Sequence, residues 1–252
     1  MTSAPHPALA ALLLALADDE LILGHRDSEW CGHAPILEED IAFANLAQDE
    51  LGHAALWYGL AEPLLGRSTD DLIFRRGAAD YRCAQLVALP KGDWAHAMTR
   101  QFLFDAAEAV RLPALAASTY APLAERAAKI RTEELYHLRH TQAWVKRLGL
   151  GTEESHQRMQ LAVDALWPYA LQLFVPLPEE AELAAEGVVP NAAAVRREWE
   201  ALAGEVLREA GLAVPVEAAP AALSRTDSGP HLTRLLEEMQ SVARLEGPEV
   251  GW

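Results

Sequence analysis

The chain has 252 residues, is 51% hydrophobic but only 7% aromatic, and carries a formal charge of −16. That length allows one large domain or two small ones. The acidic balance excludes nucleic acid, which needs clustered Lys and Arg, and opposes an anionic membrane surface. It would not steer an anionic substrate unaided, so a more basic partner protein would suit it. The two cysteines, Cys31 and Cys83, form no Cys-x-x-Cys pair, and a reducing cytoplasm is the expected setting. The apolar run Leu12-Leu13-Leu14 is soon broken by Asp18, Asp19 and Glu20. It is neither a signal peptide nor a membrane span, which needs about 20 apolar residues. Plentiful Ala and Leu, with few runs of Val, Ile or Thr, predict an all-α fold.

The first predicted helix covers residues 7–25, with Leu9, Leu12, Leu13, Leu16 and Leu23 forming an apolar stripe that also contains Glu20. An acid inside an apolar stripe needs a partner if it is buried. After a loop around Cys31-Gly32-His33-Ala34-Pro35, a second long helix is predicted from Pro35 to Leu65, ended by Gly66. Residues 67–93 read as a crossover with a short helix near 69–82. The third helix covers 94–117, where Pro113 is a candidate kink, and the fourth covers 121–148, stopped by Gly149 and Gly151. A fifth, opened by Thr152, reaches Phe174 with an interruption at Pro168. Residues 179–190 read as a loop, 192–210 as helix, 213–230 as loop, and 231–245 as an amphipathic helix built on Leu232, Leu235, Leu236, Met239 and Val242. The expectation is one domain over 1–252. Its bundle core lies at about 7–148, and a C-terminal helical extension at 152–252.

Two stretches carry the chemistry. Asp49-Glu50-Leu51-Gly52-His53 and Glu133-Glu134-Leu135-Tyr136-His137 each contain Glu-x-x-His. Residues i and i+3 share a helix face, so each pair can reach one point. Two such helices, each preceded by another acidic helix, form the ligand pattern of a ferritin-like di-iron or di-manganese four-helix bundle. In an antiparallel hairpin, residues equally far from the turn lie level. Glu20 and Glu50 are centred on Pro35, and Asp105 or Glu108 with Glu134 is centred on the turn at 118–122. The candidate metal ligands are therefore Glu20, Glu50, His53, Glu108, Glu134 and His137, with Asp105 as the alternative to Glu108. Glu108 is preferred for its longer reach. Glu50 and Glu134 are the natural bridges. Four carboxylates bring −4 against +4 for two ferrous ions. Asp49 and Glu133 are candidate outer partners of the histidines. His140 is expected to be a hydrogen-bonded histidine, not a ligand. Without metal, the same acids and histidines would pair as a buried polar network.

Leu23-Gly24-His25-Arg26-Asp27-Ser28-Glu29-Trp30-Cys31-Gly32-His33, Gln101-Phe102-Leu103-Phe104-Asp105, Tyr136-His137-Leu138-Arg139-His140, Gly151-Thr152-Glu153-Glu154-Ser155-His156-Gln157-Arg158-Met159 and Leu236-Glu237-Glu238-Met239-Gln240 resemble the PaaC subunits of ring-1,2-phenylacetyl-CoA epoxidases along essentially the whole chain. The resemblance implies a ferritin-like bundle in a multicomponent bacterial monooxygenase. There PaaA carries the di-iron site, a reductase delivers electrons from NADPH, and PaaB is a further component. PaaC would be mainly a structural partner of PaaA, usually with a degenerate metal site. A homodimer is left open. Here both Glu-x-x-His motifs are intact, so two readings stand side by side. One is a scaffold protein with a vestigial site. The other is a protein with its own pair of Fe or Mn ions and its own di-iron oxidase or oxygenase chemistry.

Overall fold

The computed structural model describes residues 7–178, 180–216 and 218–245. These residues form helices and loops without strands. Helix α1 (Pro7–Ser28) packs along α2 (Leu37–Leu65) as one hairpin. A crossover follows, with α3 (Thr69–Phe74), a 3-10 turn (Ala78–Asp80) and α4 (Gln85–Ala88). The second hairpin is α5 (Trp94–Leu115) with α6 (Ala121–Gly149), and α2 meets α6 to close the four-helix bundle. Helices α7 (Glu153–Ala170) and α9 (Ala192–Glu209) lie on α5 and α6, with α8 (Glu180–Ala185) between them in sequence. The chain ends on α10 (His231–Met239) and α11 (Ser241–Leu245). None of the described helices is long and apolar enough to cross a membrane.

Local chemistry sets the ends. Helix α2 starts two residues later than predicted because Ile36 stays extended, and Glu38, Glu39 and Asp40 then sit on the positive end of the helix dipole. It stops at Gly66, whose φ of 63° lets its N–H bond back to the Glu62 carbonyl. Asp93 caps α5 by accepting from His96 N–H at 2.9 Å, and Thr152 caps α7 by accepting from Ser155 N–H at 3.1 Å. Helix α7 runs through Pro168, where an interruption was predicted. Pro168 lies in its last turn, so only its bond to the Asp164 carbonyl is lost, and two residues later the chain passes into a 3-10 turn at Leu171–Phe174. The predicted loop 179–190 contains α8, whose Glu, Ala and Leu residues favour helix despite nearby prolines. The last predicted helix breaks at Gln240. Its amide turns inward to donate to the carbonyls of Ile73 at 2.8 Å and Arg76 at 3.1 Å, which leaves Val242 exposed.

Helix α1 is buried around most of its circumference, including the three consecutive acids Asp18, Asp19 and Glu20. Two of the three face protein cations. Asp18 is paired with Arg76, receives the Tyr58 hydroxyl, and accepts from Arg82 N–H at 2.7 Å. Asp19 is paired with Arg225 at 2.6 Å and accepts from Ala84 N–H at 2.7 Å. These bonds fasten the crossover and the 213–230 loop to α1. Glu20 alone of the three is turned toward the bundle axis.

Candidate metal centre

Each of the four long helices sends an acid inward at one level. Glu20 comes from α1, Glu50 and His53 from α2, Asp105 from α5, and Glu134 and His137 from α6, and all six are at most 1% exposed. Two groups of ligand atoms converge: Glu20, Glu50, His53 and Glu134 in one, and Glu50, Asp105, Glu134 and His137 in the other, with atoms in each group within 4.8 Å of one another. Glu50 and Glu134 belong to both, the arrangement expected of bridging carboxylates. Gly24 makes the close approach of α1 to α2 workable. A Cβ there would lie 3.0 Å from both the Ala47 carbonyl oxygen and Glu50 Cβ.

Glu108, preferred from the sequence as the fourth carboxylate, is absent from both groups. Arg111, one turn along α5, takes its carboxylate as an ion pair. Asp105, named as the alternative, reaches the cluster. Its Oδ1 accepts from Gln101 Nε2 at 2.9 Å and its Oδ2 from Thr141 Oγ1 at 2.7 Å. The same Gln101 nitrogen donates to Glu50 Oε1 at 2.9 Å.

The outer ring is crossed between the hairpins. His53 of α2 donates its Nε2–H to Glu133 of α6 at 2.8 Å, and His137 of α6 donates to Asp49 of α2 at 3.1 Å. Neither acid serves the histidine four residues along its own helix; each reaches across to the histidine of the facing hairpin. These bonds leave both Nδ1 atoms facing the axis, as ligating imidazoles require. His140, one turn further, donates to Glu39 at 2.9 Å and stays outside the cluster.

The inner atoms are unsatisfied. Glu20 Oε2, Glu50 Oε2, both oxygens of Glu134, and Nδ1 of His53 and of His137 are buried without a hydrogen-bond partner. His53 Nδ1 is 3.1 Å from Glu134 Oε1, but without the alignment of a hydrogen bond. Buried polar atoms normally find partners. Here the orphaned atoms are the carboxylate and imidazole donors that suit a hard or borderline divalent cation. The donor set therefore fits a metal. Among the protein groups alone, protons supply the missing charge. Burial would lower His53 and His137, but the facing carboxylates, led by Glu134, push them up to about 12 and about 10. Burial raises Glu134, yet the two histidines pull it down to about 2. Burial, reinforced by the charge of Glu134, drives Glu50 and Asp105 well above the carboxylate range.

A groove of about 230 Å³ between α2 and α6, lined by Ile41, Leu46, Asp49, Tyr136, His137 and His140, opens this level of the bundle toward solvent. The sequence reading did not single out Gln101, Thr141 or Gly24. Spacing offered a signal for two of them. Gln101 lies four residues before Asp105, and Thr141 four after His137, so each shares a face with a candidate ligand.

The family described as phenylacetic acid catabolic protein matches residues 1–252. The chain is 37% identical over 239 residues to the C-type subunit of the 1,2-phenylacetyl-CoA epoxidase of Escherichia coli (strain K12), covering 94% of this chain and 96% of that protein. It is 29% identical over 160 residues to the A-type subunit from the same organism, covering 64% of this chain and 52% of that protein. The match over the full chain, with this helical bundle beneath it, means that the chain belongs to the phenylacetic acid catabolic protein family.

Proposed function

We propose that this chain is a cytoplasmic subunit of a multicomponent phenylacetyl-CoA 1,2-epoxidase of aerobic phenylacetate catabolism, and serves mainly as the structural partner of a catalytic protein of the A type. The observation that carries this reading is the likeness to the C-type protein over 94% of this chain and 96% of that one. The weaker likeness to the A-type protein supports a shared bundle ancestry for two chains whose names place them in one enzyme. A B-type protein and a reductase complete the expected partners. The test is co-expression of this chain with its A-type neighbour. A stable complex is expected, with epoxidation of phenylacetyl-CoA lost when this chain is left out. Separate elution of the two, with full activity in its absence, overturns the reading.

The unsatisfied donor atoms at the axis favour a second role alongside the first. Glu20, Glu50, His53, Asp105, Glu134 and His137 are the residues that would hold a pair of Fe or Mn ions. Bound there, such a pair would supply the reduction of dioxygen that oxygenase chemistry requires. The chain's own part is positional. Asp49 and Glu133 fix the imidazole tautomers, Glu50 and Glu134 span both halves, and Thr141 and Gln101 orient Asp105. Metal analysis of the isolated chain tests this role. About two ions per chain are expected, lost in Glu50→Ala and reduced in His137→Ala. Sub-stoichiometric metal in the folded wild type, unchanged by either substitution, leaves only the scaffold role.

A further inference from the structure

The two halves of the centre share Glu50 and Glu134, and each histidine has an outer acid at similar distance, 2.8 Å for His53 and 3.1 Å for His137. The inner carboxylates are not alike. Glu50 Oε2, both oxygens of Glu134 and Nδ1 of each histidine lack a hydrogen-bond partner, and so does Oε2 of Glu20, the carboxylate that belongs to the His53 half alone. In the Asp105–His137 half, both oxygens of Asp105 already accept hydrogen bonds, one from Gln101 and one from Thr141. The Gln101 amide also holds Glu50 Oε1, so a single –NH2 group spans two of that half's carboxylates at 2.9 Å each. Gln101 is wholly buried, and its own carbonyl oxygen has no partner. Its nitrogen thus presents two N–H dipoles where a cation would otherwise place charge.

From this asymmetry we infer that the two halves fill in order, the Glu20–His53 half first, and that Gln101 sets the interval between the two steps. The inference rests on the metal reading above and adds to it a sequence of loading and a positioning residue. A cation entering the first half meets Glu20 and Glu134 oxygens that no amide or hydroxyl holds. A cation entering the second must share or displace the Gln101 amide and the Thr141 hydroxyl, which already hold the oxygens it would use. Removing an outer group that orients a ligand costs about 10–100-fold in affinity. The Gln101 and Thr141 donors instead occupy the ligating oxygens themselves, so an effect of similar size in the opposite direction is expected. The second step is therefore expected to be weaker than the first by about that factor.

The experiment is a titration of the full-length protein with manganese(II), followed by calorimetry and by electron paramagnetic resonance. Two resolved steps are expected, with a mononuclear signal that is greatest near one equivalent and collapses as the second ion couples to the first. Glu20→Gln should remove the tight step, and Asp105→Asn the weak step alone. Gln101→Met should strengthen the second step about tenfold and the first by less, because it frees the shared Glu50 but leaves Glu20 untouched. Thr141→Val should act in the same direction by freeing Asp105 Oδ2, and it carries the test if Gln101→Met fails to fold by circular dichroism. Two equal steps overturn the inference, as does loss of the tight step in Asp105→Asn. So does a second step that stays the same or weakens in the folded Gln101 and Thr141 variants. Failure of the folded wild type to bind any manganese overturns the metal reading itself, before any question of order.

Discussion

Asp18 and Asp19 are neighbours of Glu20 in sequence and differ from it in everything that surrounds them. The two aspartates are buried against guanidinium groups, Arg76 and Arg225, and against backbone N–H groups. Glu20 is buried against other carboxylates and a histidine, with Oε2 unsatisfied. Burying a carboxylate requires an equal and nearby charge. Where the fold supplies that charge from its own chain, the acid is a fastening. Where it gathers acids and withholds a permanent cation, the acid is available to something that arrives later. Helix α1 holds both kinds within one turn.

The largest effect expected from breaking this contrast is at Arg76. Arg76→Ala strands Asp18 inside the protein and should destabilise the fold by about 3–5 kcal/mol in urea unfolding, with metal stoichiometry of the surviving folded protein unchanged. If instead metal is lost with little change in stability, the fastening and the centre are not separate. Next is Gly24→Ala. The new methyl meets the Ala47 carbonyl and Glu50 Cβ at 3.0 Å, so it should cost about 1–3 kcal/mol and lower metal affinity by moving Glu50. A thermal shift with no change in metal binding would place Gly24 on the fastening side of the comparison.

Smaller effects sharpen it. Glu133→Ala and Asp49→Ala remove half-exposed acids, so the fold should barely notice, while metal affinity should fall about 10–100-fold. Equal affinities in equilibrium dialysis would mean the crossed bonds do not set the imidazoles. A separate test, read in pH and not in metal, concerns Asp27, a third kind of buried acid. Its oxygens lack hydrogen bonds, Arg100 is 3.9 Å away, and burial pushes it up to about 7. The unfolded chain releases this proton near pH 3.8, whereas the folded one keeps it to about 7. Between those values the folded state binds more protons, so this group's contribution falls as pH rises. Asp27→Asn cannot ionise. Its stability should decline less than the wild type's from pH 4 to 7, by a margin of up to about 4 kcal/mol for a shift from 3.8 to about 7. Parallel profiles would show that Asp27 is already ionised in the folded protein.

Most of this arrangement was legible before any coordinates. The long helices, the two Glu-x-x-His faces and the level of Glu20 follow from helical period and hairpin symmetry, because both depend on spacing alone. The choice between Asp105 and Glu108 did not. Both lie on one face of α5, and side-chain reach favoured Glu108. What decides is the neighbour each one meets: Arg111 for Glu108, Gln101 and Thr141 for Asp105. Thr141 belongs to another helix, so no local pattern in α5 could signal it. The partners of Asp18 and Asp19 were hidden for the same reason. Arg225 lies 206 residues from Asp19, in a stretch that reads only as loop. Helix α8 and the run of α7 through Pro168 were missed because proline was weighed above the helix-forming residues around it.

The lacing of His53 to Glu133 and of His137 to Asp49 has a consequence for the order of events in folding. Neither hairpin carries the acid that orients its own histidine, so a nascent first hairpin emerging from the ribosome presents an imidazole free to swing. The centre acquires its shape only when the second hairpin docks. Any ion bound there would therefore find its full set of ligands only once α6 has docked on α2, a timing set by which helix lends its acid to which.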